Sequence, residues 1–200
     1  MSKIAIIGAG NIGSTLGMKW AHAGHGIRFG VRNPADPKFA ELRPFGSVVS
    51  VNESLVGTDV VLLSLPGAAV MDFARQYGAN LTGKIVIDAT NNVRGPEMNN
   101  LAVLNDQAPG AQLVRAFNSL GWENFANPRL RGVQIDLFYC GEQASRLLVE
   151  QLIGEVGLRP VYIGNLDTAA IVDGLTRLWF ALAIGQGHGR RIAFKMLQEN

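Results

Sequence analysis

The chain has 200 residues, 48% of them hydrophobic and 17% charged, with a formal net charge of +2. That suffices for one well-cored domain with an appendage and is too apolar for a disordered segment. Lys and Arg form no separate block, so nucleic acid has no electrostatic footprint, and the single cysteine, Cys140, excludes an internal disulfide and a cysteine-rich metal site.

In chain order, "MSKIAIIGAG" enters an apolar strand and a glycine turn with no export-signal cleavage region, and the expectation is a cytoplasmic protein. A helix is predicted over Ile12 to Ala23. "IRFGV" is a second strand, "SVVSV" a short third and "VVLLSL" a fourth, followed by a helix over Ala68 to Tyr77. "KIVIDA", "QLVRAF" and "IDLFYCG" are further strands, and an amphipathic helix over Gln143 to Val156 leads to "RPVYIG". Apolar strands separated by helix-length connections predict an α/β fold of Rossmann type, a doubly wound, mostly parallel sheet buried on both faces.

After Gly164 the rhythm changes. Ile171, Leu175, Leu178, Trp179 and Leu182 share one helical face, and Val172, Phe180 and Ala183 add apolar character elsewhere. Asp173 and Arg177 interrupt the stretch, so it reads as a buried helix and not a membrane span. The division expected is a dinucleotide-binding domain over 1–164 and a small helical C-terminal segment over 165–200. That segment closes the substrate pocket, and its spare face suits a homodimer.

"GAGNIG", Gly8 to Gly13, is a GxGxxG pattern that follows a strand directly and opens a helix. Gly8 permits the turn, Gly10 lets the backbone approach a pyrophosphate, and Gly13 lets helix and strand pack closely. The helix that begins at Asn11 and Ile12 offers free N–H groups to an anion. Where an NAD-binding chain would carry an acid at the end of the second strand, this one has Arg32. Its guanidinium can bind a 2′-phosphate, with Asn33 as a further donor and Lys38 as a point charge or a solvated lysine. The cofactor expected is NADP.

The scattered His22, His25 and His188 show no metal spacing; the first two suit caps at a helix end. "GQGHGRR" follows no strand and reads as a helix break, and Cys140 as a small buried hydrophobe.

The motifs "IAIIGAGNIG", "VRNP", "LLSLPG", "VIDATNN", "VRAFNSLGWENFANP", "FYCGE" and "GRRIAFKML", in this order, resemble the NADPH-dependent coenzyme F420 reductases. The resemblance extends to the oxidoreductase domain of the STEAP metalloreductases. It implies that Arg32 and Asn33 carry the 2′-phosphate contacts, although Val31 stands where the family often has a Ser or Thr hydroxyl. It also implies that Ser64, Leu65 and Pro66 run beneath the cofactor towards the nicotinamide. Ala89 to Asn92 and Phe117 to Gly121 end strands on the same side of the sheet, where ligands of open α/β folds collect. Ala89, Asn91 and Asn118 are therefore expected at the cofactor, and Asn118, Ser119 and Leu120 at the substrate; Asn91 and Asn92 equally suit turn caps.

No acid–base constellation is visible, whereas ketone reduction generally needs a proton donor beside the hydride. Transfer between nicotinamide and a flavin-like ring asks only that two rings be held face to face away from water. The leading expectation is thus hydride transfer to a deazaflavin or flavin-type small-molecule acceptor, the deazaflavin resting on the resemblance. Two alternatives stay open: an imine or pyrroline-carboxylate reductase, with Arg177 or Arg190 holding a carboxylate, and a non-catalytic NADP-binding redox sensor.

Overall fold

A computed structural model describes residues 1–199. Its chain runs β1 (Lys3–Ile7), α1 (Asn11–His22), β2 (Gly26–Val31), β3 (Ser47–Ser50), α2 (Val51–Leu55), β4 (Val60–Leu63), α3 (Val70–Tyr77), β5 (Ile85–Asp88) and α4 (Leu101–Gln107). It continues with β6 (Gln112–Arg115), α5 (Trp122–Ala126), a short hairpin of β7 (Arg129–Leu130) and β8 (Val133–Gln134), β9 (Asp136–Gly141), α6 (Arg146–Val156), β10 (Arg159–Tyr162) and α7 (Ala169–Phe180). The eight-stranded sheet has the order β10-β9-β6-β5-β4-β1-β2-β3, and only the β6–β9 pair is antiparallel. This is the Rossmann-type, mostly parallel sheet expected from the apolar runs.

Ile4 to Ile7 and Val60 to Leu63 are buried along their whole length because helices cover both faces of the sheet. On one face Trp20 meets Phe117 edge-on at 5.7 Å between ring centroids, and Phe117 meets Phe125 at 5.6 Å. The Trp20 indole donates to the Leu152 carbonyl of α6, so this large buried ring leaves no polar atom unsatisfied. On the other face Val70, Phe73 and Leu104 pack against Leu63 and Val86. The expected third strand is one residue shorter. Val51 opens α2 instead, because Ser50 and Glu53 form a reciprocal capping box.

The C-terminal helix departs from its expected orientation. Its inward residues are Val172, Asp173, Thr176, Trp179 and Ala183, while Ile171 is 65% and Leu178 47% exposed. Asp173 and Thr176 bond to the β6 end, and these polar anchors turn that side inward. Ala169 and Val172 join one core layer, and Trp179 and Ala183 the other, so α7 bridges the two faces of the sheet. Leu166–Gly185 is long and apolar enough, by length and composition, to cross a membrane, and a third of it is buried here. A π turn over Ala181–Gly185 extends the helix to that length.

"GQGHGRR" is a helix break. Gly187 and Gly189 adopt φ of 71° and 77°, which any side chain would resist. The chain then doubles back as a strap. Arg191 donates to the Glu123, Asn127 and Arg129 carbonyls and to the Asn124 side chain. Further along, Lys195 and the Met196 N–H both reach Asp136. His22 Nδ1 donates to the Met18 carbonyl, and buried His25 bridges the Ser2 N–H and Glu155. Cys140 is fully buried, and burial pushes its thiol pKa up.

Candidate dinucleotide site

The glycine turn has the geometry that each glycine was expected to supply. Gly8 sits at φ +98°, and a Cβ there would lie 2.8 Å from the Ser64 carbonyl oxygen. A Cβ on Gly13 would fall 2.0 Å from the Gly8 oxygen, so only glycine lets α1 rise this close to β1. At Gly10 a Cβ would meet nothing within 4 Å, and the vacant space faces the cleft. Gly10 is the N-cap of α1, whose first backbone bond runs from Ser14 to the Gly10 carbonyl at 2.8 Å. The N–H groups of Asn11, Ile12 and Gly13 therefore remain free of the helical ladder and add positive potential at the turn.

From this turn a cleft of about 890 Å³ runs along the carboxyl ends of β1, β2 and β4. One end is lined by Arg32, Asn33, Lys38 and Phe39, the floor by Gly8 to Gly10, and the other end by Ser64, Leu65 and Pro66. The wall opposite comes from Ala69, Asp72, Phe73, Gln76 and Tyr77, which sequence reading missed. Those residues belong to an amphipathic helix whose motif content is nil; only the strand–helix packing reveals that one flank faces the cleft. A shallower depression between His25 and Val48 lies at the opposite, amino-terminal end of β2.

At the basic end, Arg32 is exposed and forms no ion pair among the described residues. Asn33 accepts from the Ala35 N–H through Oδ1, which leaves its amide hydrogens facing outward as donors. Lys38 is held by Asp36 at 2.8 Å, and this hydrogen bond keeps the Asp36 carboxyl below its ordinary pKa. Arg32 and Asn33 are thus free to meet an anion, whereas Lys38 must be shared with Asp36.

Beyond Pro66 the site closes. Ala89, Asn118, Ser119 and Leu120 are 2–6% exposed and do not line the open cleft. The reason is α7, which covers the β6 end. The Asn118 Nδ2 donates to Thr176 Oγ1 at 2.8 Å, and its buried Oδ1 has no partner. Phe117 takes φ +62°, a left-handed conformation that costs a bulky residue energy and re-aims the chain at that point. Asn91 is not free either: Oδ1 accepts from Arg115 at 2.9 Å and Nδ2 donates to the Asn118 carbonyl at 2.8 Å. Both bonds are to distant residues, so Asn91 is not the local turn cap of the alternative reading. Gly67, directly after Pro66, packs on the Asn91 and Asn92 backbone, and this joins the cleft to the β5 and β6 ends.

Arg115 is the residue that motif reading overlooked. A charged residue inside the apolar run "QLVRAF" is the signal that should have marked it. It is fully buried and paired with Asp88 and Asp173.

A parallel sheet with a phosphate-approach turn at the end of its first strand and a basic residue at the end of its second defines a dinucleotide-binding protein of the Rossmann class. Residues 3–92 match the family described as "NADP oxidoreductase coenzyme F420-dependent". The F420-dependent NADP reductase of Methanocaldococcus jannaschii is 27% identical over 154 residues, covering 67% of each chain. The rat metalloreductase STEAP3 is 26% identical over 185 residues, 86% of this chain but 36% of that protein. The chain thus spans little more than a third of the STEAP relatives that it matches. Among solved structures, one described as an F420-dependent NADP reductase from Arthrobacter sp. FB24 superposes with a TM-score of 0.84 at 23% identity, covering 99% and 100% of the two chains. The imine reductase BcSIRED of Bacillus cereus superposes at 0.67 and 20% identity over 92% of this chain and 62% of that one. At such identities the structures attest the fold alone.

Proposed function

We propose that the protein is an NADP(H)-dependent oxidoreductase that passes hydride between the nicotinamide and a deazaflavin or flavin-type acceptor. The observation that carries this reading is the joint placement of the Gly10 gap, the α1 N-terminus and unpaired Arg32 in one cleft. Bound NADPH would supply the hydride. Gly10 and the free N–H groups at Asn11 and Ile12 would hold the pyrophosphate, Arg32 and Asn33 the 2′-phosphate. Leu65 and Pro66 would support the nicotinamide end and keep water from it. Leu65 and Pro66 at that end carry no proton, and the Ser64 hydroxyl there donates to the Gly8 carbonyl, which favours ring-to-ring transfer over carbonyl reduction.

A second reading, reduction of an imine or pyrroline carboxylate, needs a cation for the substrate. Arg190 is neutralised by Glu123 at 2.6 Å and stacked on Trp179, so Arg177, exposed on α7, is the group that would serve. A non-catalytic NADP sensor predicts tight binding and no turnover. Anaerobic NADPH oxidation with F420, FMN, FAD and pyrroline-5-carboxylate, offered separately, tests all three. Turnover with F420 or a flavin is expected; turnover with the imine alone, or with none, refutes the leading reading.

The homodimer expected from the C-terminal helix belongs to this proposal. Ile171 and Leu178 are exposed on α7 beside the small residues Ala170 and Gly174, and Ile184 on the π turn that follows, and a second copy packed there would cover them. Sedimentation of wild type and Leu178→Glu checks it, with loss of dimer in the variant expected.

A further inference from the structure

The carboxyl ends of β5 and β6 enclose an ion cluster that hydride transfer as described above does not use. Arg115 is wholly buried. Its Nη1 meets Asp88 Oδ2 at 3.1 Å, and its Nε and Nη2 meet Asp173 Oδ1 at 3.0 and 2.8 Å. The Asp88 side chain is also wholly buried, and that of Asp173 is 7% exposed.

Hydrogen bonding fixes the charge of this cluster. Asp88 accepts from the Thr90 N–H, from Thr90 Oγ1 and from the Asn100 N–H, in addition to Arg115. Thr90 Oγ1 itself accepts from Asn100 Nδ2, so its own hydrogen points at Asp88. Asp173 Oδ2 accepts from Asn99 Nδ2 at 2.7 Å. Every neighbour is a donor, and a protonated carboxyl would find no acceptor for its hydrogen. Two carboxylates thus surround one guanidinium, and one negative charge is left in excess in a region closed to water.

The position of this charge gives it a use. Arg32 marks the adenosine end of the cleft at β2, the cleft runs past β1 to Ser64, Leu65 and Pro66 after β4, and β5 and β6 come next in the sheet. Arg115 reaches that far end through Asn91, which packs on Gly67 just past cleft-lining Pro66. Oxidised nicotinamide is a cation, and the reduced ring is neutral. We propose that the Asp88–Arg115–Asp173 cluster favours the oxidised, positively charged ring over the reduced one, and so biases bound NADPH towards giving up its hydride. This rests on the nucleotide reading above. It assigns Asp173, on the C-terminal helix, to tuning the cofactor's oxidation state in addition to anchoring that helix.

The test compares binding of NADP⁺ and NADPH to the full chain, without any acceptor. Asp173→Asn removes the excess charge and keeps the shape. It is expected to weaken NADP⁺ relative to NADPH by roughly tenfold. Asn99→Asp alone sets two carboxyl groups at the 2.7 Å contact, where they share one proton, and should leave the ratio near wild type. The double variant exchanges carboxylate and carboxamide across the same hydrogen bond and should restore the wild-type ratio. A purely structural role would weaken both forms alike. Equal losses, or an unchanged ratio in Asp173→Asn, overturn the proposal, and Asp88→Asn, which removes the other carboxylate on Arg115, decides if Asp173→Asn does not fold. Wild type that binds neither form would refute the nucleotide reading itself, and this inference with it.

Discussion

The Ser64 hydroxyl donates to the Gly8 carbonyl at 2.7 Å and so ties the end of β4 to the glycine turn of β1. With that carbonyl pinned, the space above it is fixed, and two glycines of one motif face opposite fates. Gly13→Ala forces a Cβ to within 2.0 Å of the Gly8 oxygen and should cost about 1–3 kcal/mol or more, read as a lowered Tm. Gly10→Val meets no neighbour, should cost about 1 kcal/mol as a poorer cap, and should weaken NADPH binding by roughly tenfold or more. Thermal melts and NADPH titration of the pair check both outcomes.

Among the described residues Arg32 has no ion-pair partner to lose, so its replacement reports on the ligand. Arg32→Glu should weaken NADPH by roughly ten- to a hundredfold, the worth of a charge-assisted bond of about 1.5–3 kcal/mol, and leave NADH nearly unchanged. Titration with both nucleotides decides; equal losses would remove the 2′-phosphate assignment.

Asp136 holds the strap through an acid-sensitive contact. Burial raises its carboxyl pKa, but hydrogen bonds from Arg159, Lys195 and the Met196 N–H outweigh that and hold it below the ordinary value of 3.8. A depressed pKa in the folded state means that the stabilisation is complete above the ordinary carboxylate range. It is lost as pH falls through the still lower folded value. Asp136→Asn should lower Tm at pH 7 and converge on wild type as pH falls below the ordinary carboxylate range. Melts of both proteins across pH 2–7 measure this.

Asn124 is wholly buried and serves the strap from the other side. Its Nδ2 donates to the Arg190 and Ile192 carbonyls, and Oδ1 accepts from Arg191. Asn124→Ala should cost about 2–4 kcal/mol by orphaning these groups, and should raise amide exchange over residues 190–196 before the sheet is affected. Uniform exchange across the chain would show that the strap is not a separate unit.

Asp136 and Asn124 also show how far the sequence could be read. The strands, α1, the glycine turn and the Arg32 seat were legible because they are local: an apolar run, a spacing of glycines and a charge at a strand end carry their meaning within a few residues. Residues 165–200 were read as helical, yet the buried face was assigned to Ile171 and Leu178, which apolarity favours. The structure chose Asp173 and Thr176 instead, since their partners Arg115 and Asn118 lie 58 residues earlier. In the same way Asn118, Ser119 and Leu120 followed a strand as pocket residues do, and α7 covers them. Periodicity records which residues are apolar but not which distant polar groups they must satisfy. The nucleotide-binding motif was therefore fixed by local chemistry, while the enclosed charge beside it exists only where β5, β6 and α7 meet.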